Sequence, residues 1–142
     1  MQNQNFSNHS RMHPFYHYFI LPLTLVGIAA GLLHTFMASG PDRFVHTLIA
    51  LAFFILFCVA GLVRIYSLKV QDRVIRSEEN FRHYLLTGKQ LDRQLRTKQV
   101  VALRFASDTE FVSLAARALS ENLSSKAIKK SITQWRPDYR RI

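Results

Sequence analysis

The sequence predicts an all-α membrane protein: a two-helix transmembrane hairpin whose long second helix continues into a small basic cytoplasmic helical domain. Three observations predict it. Two apolar stretches, Phe15 to Met37 and Phe44 to Val63, contain no Lys, Arg, Asp or Glu, and each meets the roughly 20 helical residues that cross a hydrocarbon core of about 30 Å. Charge is then concentrated after the second stretch: residues 64–142 carry 17 Lys or Arg against 8 Asp or Glu, a net of +9, whereas residues 1–63 carry a net of +1. Finally, no Pro or Gly falls between Gly61 and Gly88, so nothing stops the second helix at the end of its apolar part. The segments read as a polar cytoplasmic start (1–14), a first transmembrane helix (15–37), a short external loop (38–43), a second transmembrane helix (44–66), its cytoplasmic extension (67–86), and a basic helical domain with a tail (87–142).

The first apolar stretch is too long for the roughly 7–15-residue core of a cleaved signal peptide and is followed at once by another span, so it reads as a helix that stays in the membrane. Pro22 removes one backbone bond and is expected to kink that helix. Gly27 and Gly31 form a GxxxG motif, which lets two helix backbones approach where lipid offers no hydrophobic drive. The motif does not say whether the partner is the second span, a second copy or another protein. Ala38-Ser39-Gly40-Pro41-Asp42-Arg43 supplies turn chemistry for a tight antiparallel hairpin. Arg64, Lys69, Arg73 and Arg76 follow the second span, Arg11 precedes the first, and the loop between is charge-balanced, which places both termini in the cytoplasm by the positive-inside rule. Tyr16, Tyr18 and Tyr66 suit an aromatic belt on that face.

In the extension, Asp72 with Arg76, Glu78 with Arg82, and Glu79 with His83 stand four apart and are expected to pair along the helix. Val70, Val74, Phe81 and Leu85 form an apolar stripe that wants a partner surface. Gly88 is a C′ stop. A connector with Leu91 and Leu95 leads to Thr97, read as the cap of a short helix through Phe105. Ser107-Asp108-Thr109-Glu110 matches a capping box opening a helix to about Asn122, with Phe111, Leu114, Ala115, Ala118 and Leu119 on one buried face. Ser124 reads as the next N-cap, with Leu123 and Ile128 as a hydrophobic staple, and the last helix is expected to end before Pro137. About 75 residues after the spans make a marginal independent core.

Gln4 to Arg11, Pro14, His17 and Pro22-Leu23 resemble the opening of a bacterial family of small two-span membrane proteins catalogued only as a domain of unknown function. Gln99 to Asp108, Glu121 to Ser124, and the stretch from Lys129-Lys130 to Trp135-Arg136 are similar to its C-terminal half. The resemblance spans nearly the whole chain; it implies the two-span architecture and a bacterial inner-membrane location, and it brings no activity.

Chemistry-bearing residues are few. His9, His13 and His17 recur every four residues at the cytoplasmic boundary, although Pro14 interrupts their register, and His34 with His46 stand near the outer ends of the two spans. His13, His17, His34 and His46 are therefore candidates for a polar membrane site, set against the plainer reading of interfacial histidines bonded to backbone or headgroups. Cys58, the single cysteine, excludes a disulfide framework and a Cys/His zinc spacing. Arg64, Lys69, Arg73 and Arg76 would meet anionic lipid headgroups at about 1 kcal/mol per charge. Lys126, Lys129, Lys130, Trp135, Arg136, Arg140 and Arg141 interleave cations with aromatics, a candidate basic contact surface. Single-stranded nucleic-acid binders share that composition, but no binding fold accompanies it. No nucleophile motif or phosphate loop is present, and the four-residue histidine spacing, which suits metal, haem or lipid phosphate, has no Cys or carboxylate nearby in sequence to complete a site. The expectation is a non-enzymatic accessory or interaction protein that packs with itself or with a larger membrane complex. A holin-like pore and a membrane-tethered nucleic-acid binder are the alternatives.

Overall fold

Every regular element in the computed structural model is helical; it describes residues 5, 6 and 12–138. A π-helical turn, Tyr16–Ile20, leads into α1 (Leu21–Met37), followed by α2 (Pro41–Thr87), α3 (Thr97–Leu103), α4 (Asp108–Ser120) and α5 (Ser125–Ser131). Among the described residues the only β pairing is an isolated antiparallel bridge between Ala106 and Trp135. Two helices, Tyr16–Met37 and Pro41–Thr87, are long and apolar enough to cross a membrane. The chain divides into two compact units, Met12–Ser67 and one beginning at Leu68.

In the first unit, Pro22 has no N–H to give to Tyr18, and the helix answers by widening: the Leu21 amide reaches back five residues to the Tyr16 carbonyl. The ladder takes up the lost bond in a π turn. α1 and α2 then run antiparallel, and as the residue number rises on one helix it falls on the other. Tyr16 donates its hydroxyl to the Ala60 carbonyl at 3.2 Å, the Phe53 ring fills the notch at Gly27, the Ala50 backbone lies against Gly31, the Thr35 and Thr47 hydroxyls stand 3.5 Å apart, and the His34 and His46 rings stack at 5.1 Å. The GxxxG notch is thus occupied by the chain's own second helix. The turn is tighter than expected. Residues 41–43, assigned to the loop, are the first turn of α2, because Pro41 pre-sets the helical φ and Gly40 takes the left-handed φ of +64° that reverses the chain. Away from this seam the apolar side chains are open, with Phe36 and Met37 each 81% exposed.

In the second unit, α2 continues to Thr87 and Gly88 ends it at φ +70°, its amide returning to the Tyr84 carbonyl at 2.8 Å. The hydrophobic core is made by residues 91–135: Leu91 and Leu95 from the connector, Val100, Ala102 and Leu103 from α3, Phe105 and Ala106 after it, Phe111, Leu114, Ala115 and Ala118 from α4, then Ile128 and Ile132, with Leu119, Leu123 and Trp135 packed at its edge. α3 packs against both α4 and α5. Helix ends follow their own hydrogen-bond needs. Ser124 caps α5 by accepting from the Ala127 amide at 3.1 Å. Arg96, not Thr97, is the N-cap of α3, and its amide is taken by the Gln99 side chain at 2.8 Å; buried Gln99 turns its own amide group to the Ala118 and Leu123 carbonyls.

The expected capping box at Ser107 does not form. Ser107 stands at the N-cap of α4, but its hydroxyl meets Thr109 and its amide donates to Gln134. Glu110 consequently has no N-cap amide to return to, and its carboxylate accepts instead from the Thr133 amide and hydroxyl and from the Gln134 amide. A local signal has been diverted to hold the segment that follows α5.

Candidate functional site

Residues 68–87 of α2 present two faces, and the way they are used reverses the ordinary order. Helical spacing gathers Ile75, Arg76, Glu79, Asn80, Arg82 and His83 on one side and Val70, Val74, Phe81 and Leu85 on the other. The polar side is the one that holds the domain. Arg76 donates to the Leu95 carbonyl at 2.8 Å, Asn80 accepts from the Leu91 amide at 2.8 Å, His83 Nδ1 lies 2.8 Å from the Lys89 carbonyl, and Ile75 and Glu79 are buried. The apolar stripe is left open: Val70 is 60% exposed, Phe81 62% and Leu85 68%.

Arg82 is the centre of the polar face. Its Nε donates to Asp108 at 2.7 Å, its Nη1 to Glu79 at 3.0 Å and its Nη2 to the Ala106 carbonyl at 2.7 Å, while the guanidinium lies 4.4 Å from the centre of the Phe111 ring. None of the three helical pairs expected four residues apart forms, because Arg76, Arg82 and His83 reach across to the domain and Arg82 takes Glu79 three residues back. Arg82 and its acids open onto a cleft of about 650 Å³ with Phe81 and Leu85 on its rim and Arg104, Arg136 and Asp138 on its far wall; Arg104 Nε stands 3.3 Å from Asp138. Arg82 with Glu79 and Asp108, and Arg104 with Asp138, pair opposite charges there, so chemically the arrangement fastens α2 to the start of α4.

Burial pushes the Glu79 carboxyl above its ordinary value of 4.5, against the opposing pull of the Arg82 hydrogen bond and charge and of Arg136. The folded protein therefore holds this proton to a higher pH than the unfolded chain does. Stability from this group is undiminished below the unfolded value and falls as pH rises from there through the folded value. Glu79→Gln keeps an oxygen for Arg82 and removes the ionisation. Its stability relative to the parent is expected to improve as pH rises from the ordinary carboxyl value through the raised folded one, in denaturant unfolding followed by Trp135 fluorescence; parallel pH curves for the two proteins would show that Glu79 does not titrate against folding.

The residues singled out in the sequence are dispersed. Gly27 and Gly31 lie in the hairpin seam, and His34 and His46 meet there as well. His13 and His17 meet through the His13 carbonyl, which lies 3.0 Å from the His17 ring nitrogen and accepts from the His17 amide at 3.1 Å. No cluster of three or more His, Cys, Asp or Glu is placed to hold a metal among the described residues. Arg64 lies 6.0 Å from the centre of the Tyr16 ring; Lys69 and Arg73 are exposed, and Arg76 is half-buried, with Nη1 donating to the Leu95 carbonyl. Trp135 is packed at 5.2 Å against Phe105 as part of the core edge, and Lys129 lies 5.6 Å over the other aromatic ring, so the candidate basic surface is not an open stacking platform. Lys126, Lys130 and Arg136 are exposed. Arg140 and Arg141, with His9 and Arg11, lie outside the described residues.

Sequence reasoning missed the Arg82 centre because Glu79 and Asp108 each had a sufficient local explanation, one as a helical pair and one as a first-turn carboxylate. Neither the curated proteins nor the solved structures contain a match to this chain. A family model covers all of residues 1–142, and by it the protein belongs to a family of unknown function, DUF6526.

Proposed function

We propose that this protein is a non-enzymatic accessory or interaction protein of the bacterial inner membrane. In this reading α1 and the first part of α2 are a transmembrane hairpin with both termini cytoplasmic, Arg64, Lys69 and Arg73 meet anionic headgroups, and the rest of α2 carries the helical domain. The observation that carries it is the open stripe of Val70, Val74, Phe81 and Leu85. Exposing these side chains in water forgoes the transfer free energy of about 1.5–3 kcal/mol that a large apolar side chain gains on burial, and α2 does so while spending its polar face on the domain. An open apolar stripe of this kind marks a binding surface. Support for the membrane comes from the two long apolar helices, of whose apolar windows only 11% and 6% of residues are buried; a soluble core helix would be mostly covered.

The test is gentle detergent extraction of the full-length protein from its native membrane, with sizing and mass spectrometry of what travels with it. A homo-oligomer or a stoichiometric membrane complex is expected. The double substitution Phe81→Ser with Leu85→Ser should dissolve that association while changing stability by less than about 0.5 kcal/mol, as for exposed positions without structural partners. A monodisperse monomer with no companion from the unsubstituted protein would remove the reading.

A further inference from the structure

We propose that the cavity between α2 and the connector after it binds a phosphate mono- or diester. The cavity, of about 320 Å³, is lined by Arg73, Arg76, Ser77, Asn80, Gln90 and Arg93, over a floor of Leu91 and Val100. Its size lies at the small end of the roughly 300–1,000 Å³ of ligand pockets, which suits a headgroup-sized anion. Three guanidiniums line it and no carboxylate does. Arg73, Arg76, Ser77 and Asn80 come from one face of α2, at spacings of three and four, whereas Gln90 and Arg93 approach from the connector, so two separate backbone segments converge on the space.

The three arginines are in different states, and the difference is what a binding site requires. Arg76 is fixed in place: Nη1 donates to the Leu95 carbonyl at 2.8 Å and to the Thr97 hydroxyl at 3.4 Å, and Nη2 donates to the Arg93 carbonyl at 3.4 Å. A guanidinium has five N–H donors, so Nε–H and one Nη2–H remain without an acceptor among the described residues. Arg73 and Arg93 are exposed, and among the described residues no carboxylate lies within ion-pair distance of either. The nearest acid of the connector, Asp92, is occupied by the Gln94 amide at 2.8 Å. One oriented cation with donors to spare, flanked by two unpaired ones, favours a planar or tetrahedral oxyanion, for which arginine makes short charge-assisted bonds. Ser77 and the Asn80 amide nitrogen add neutral donors on the same side.

The phosphate has two sources, a lipid headgroup or a soluble phosphate ester. The lipid source alone rests on the membrane reading above; the cavity itself does not. The experiment uses full-length protein in an uncharged detergent, titrated with inorganic phosphate and with glycerol 3-phosphate by calorimetry, and in parallel reconstituted in nanodiscs of phosphatidylcholine with or without phosphatidylglycerol, with retained lipid counted by native mass spectrometry. Binding of the soluble esters in detergent supports a soluble ligand, and selective retention of phosphatidylglycerol supports a lipid one. In either case Arg73→Gln with Arg93→Gln should weaken binding by about tenfold or more, since each lost bond is to a charged group. Both side chains are exposed and unbonded, so the unfolding midpoint of that double variant should match the parent. Binding of neither class, or binding unchanged in the double variant, would overturn the proposal. Failure of the membrane reading would show separately, as a protein that stays in solution without detergent.

Discussion

Arg82→Ala is expected to destabilise the domain by about 3–5 kcal/mol, the range for removing one partner of a buried ion pair. Glu79 would be left buried with its Arg82 bond gone, the Ala106 carbonyl would lose its donor, and the Phe111 ring would lose the cation above it. Trp135, the single tryptophan, packs on Phe105 in the same core and reports the unfolding directly. A loss below about 1 kcal/mol in denaturant unfolding would mean that the apolar core alone holds α2. Because the alanine variant is expected to be largely unfolded under mild stress, Arg82→Met combined with Glu79→Leu is the informative companion. Replacing a whole buried ion pair by apolar groups is often neutral, so the double variant should recover most of what the single one loses, and failure to recover would assign the cost to the Ala106 and Asp108 bonds.

Gly31→Val is expected to open the hairpin. A Cβ at that position would lie 2.8 Å from the Ala50 Cβ and 2.9 Å from its Cα and amide nitrogen, and backbone atoms of a helix cannot step aside as a side-chain end can. The two helices must separate, at a cost of at least the 1–3 kcal/mol typical of overpacked cores, in rough terms. Gly27→Val meets the Phe53 side chain rather than helix backbone, and that side chain can change rotamer, so the effect there should be smaller. Paired cysteines at Thr35 and Thr47, whose hydroxyls are 3.5 Å apart, measure it: rapid oxidative cross-linking in the parent, slower in the Gly27 variant and slowest in the Gly31 variant. Equal rates in all three would refute the close seam.

Elements whose signals are local and one-directional were legible in the sequence. The unbroken α2, its stop at Gly88, the Ser124 cap and the buried face of α4 all depend on spacing within a few residues. What could not be read was where a polar group goes when two partners compete for it. Glu110 fits a capping box in sequence, yet the amides of Thr133 and Gln134 win its carboxylate; Arg82 fits a helical pair, yet Asp108 and Ala106, more than twenty residues away, share it. The extension of α2 shows the same limit. Apolar spacing identifies a face that prefers cover, but only the tertiary arrangement shows that the opposite, polar face is the one the domain takes. For the candidate phosphate cavity, Arg73 and Arg76 stood out by position after the span, while Arg93 and Gln90 gave no signal, since their nearness to α2 depends on the path of the connector.

The bridge between Ala106 and Trp135 has a consequence for biosynthesis. Ribosomes deliver residues in order, and the two apolar helices are complete long before the bridge can form. A nascent chain released as far as α4 has Phe105 and Phe111 in hand but neither Ile128, Ile132 nor the indole that completes their cover. Its apolar surface stays open until Ile132 and Trp135 emerge. For this protein the interval between finishing the hairpin and closing the domain is the period of greatest exposure to aggregation and proteolysis, and its length is set by translation speed across the segment between α4 and Trp135.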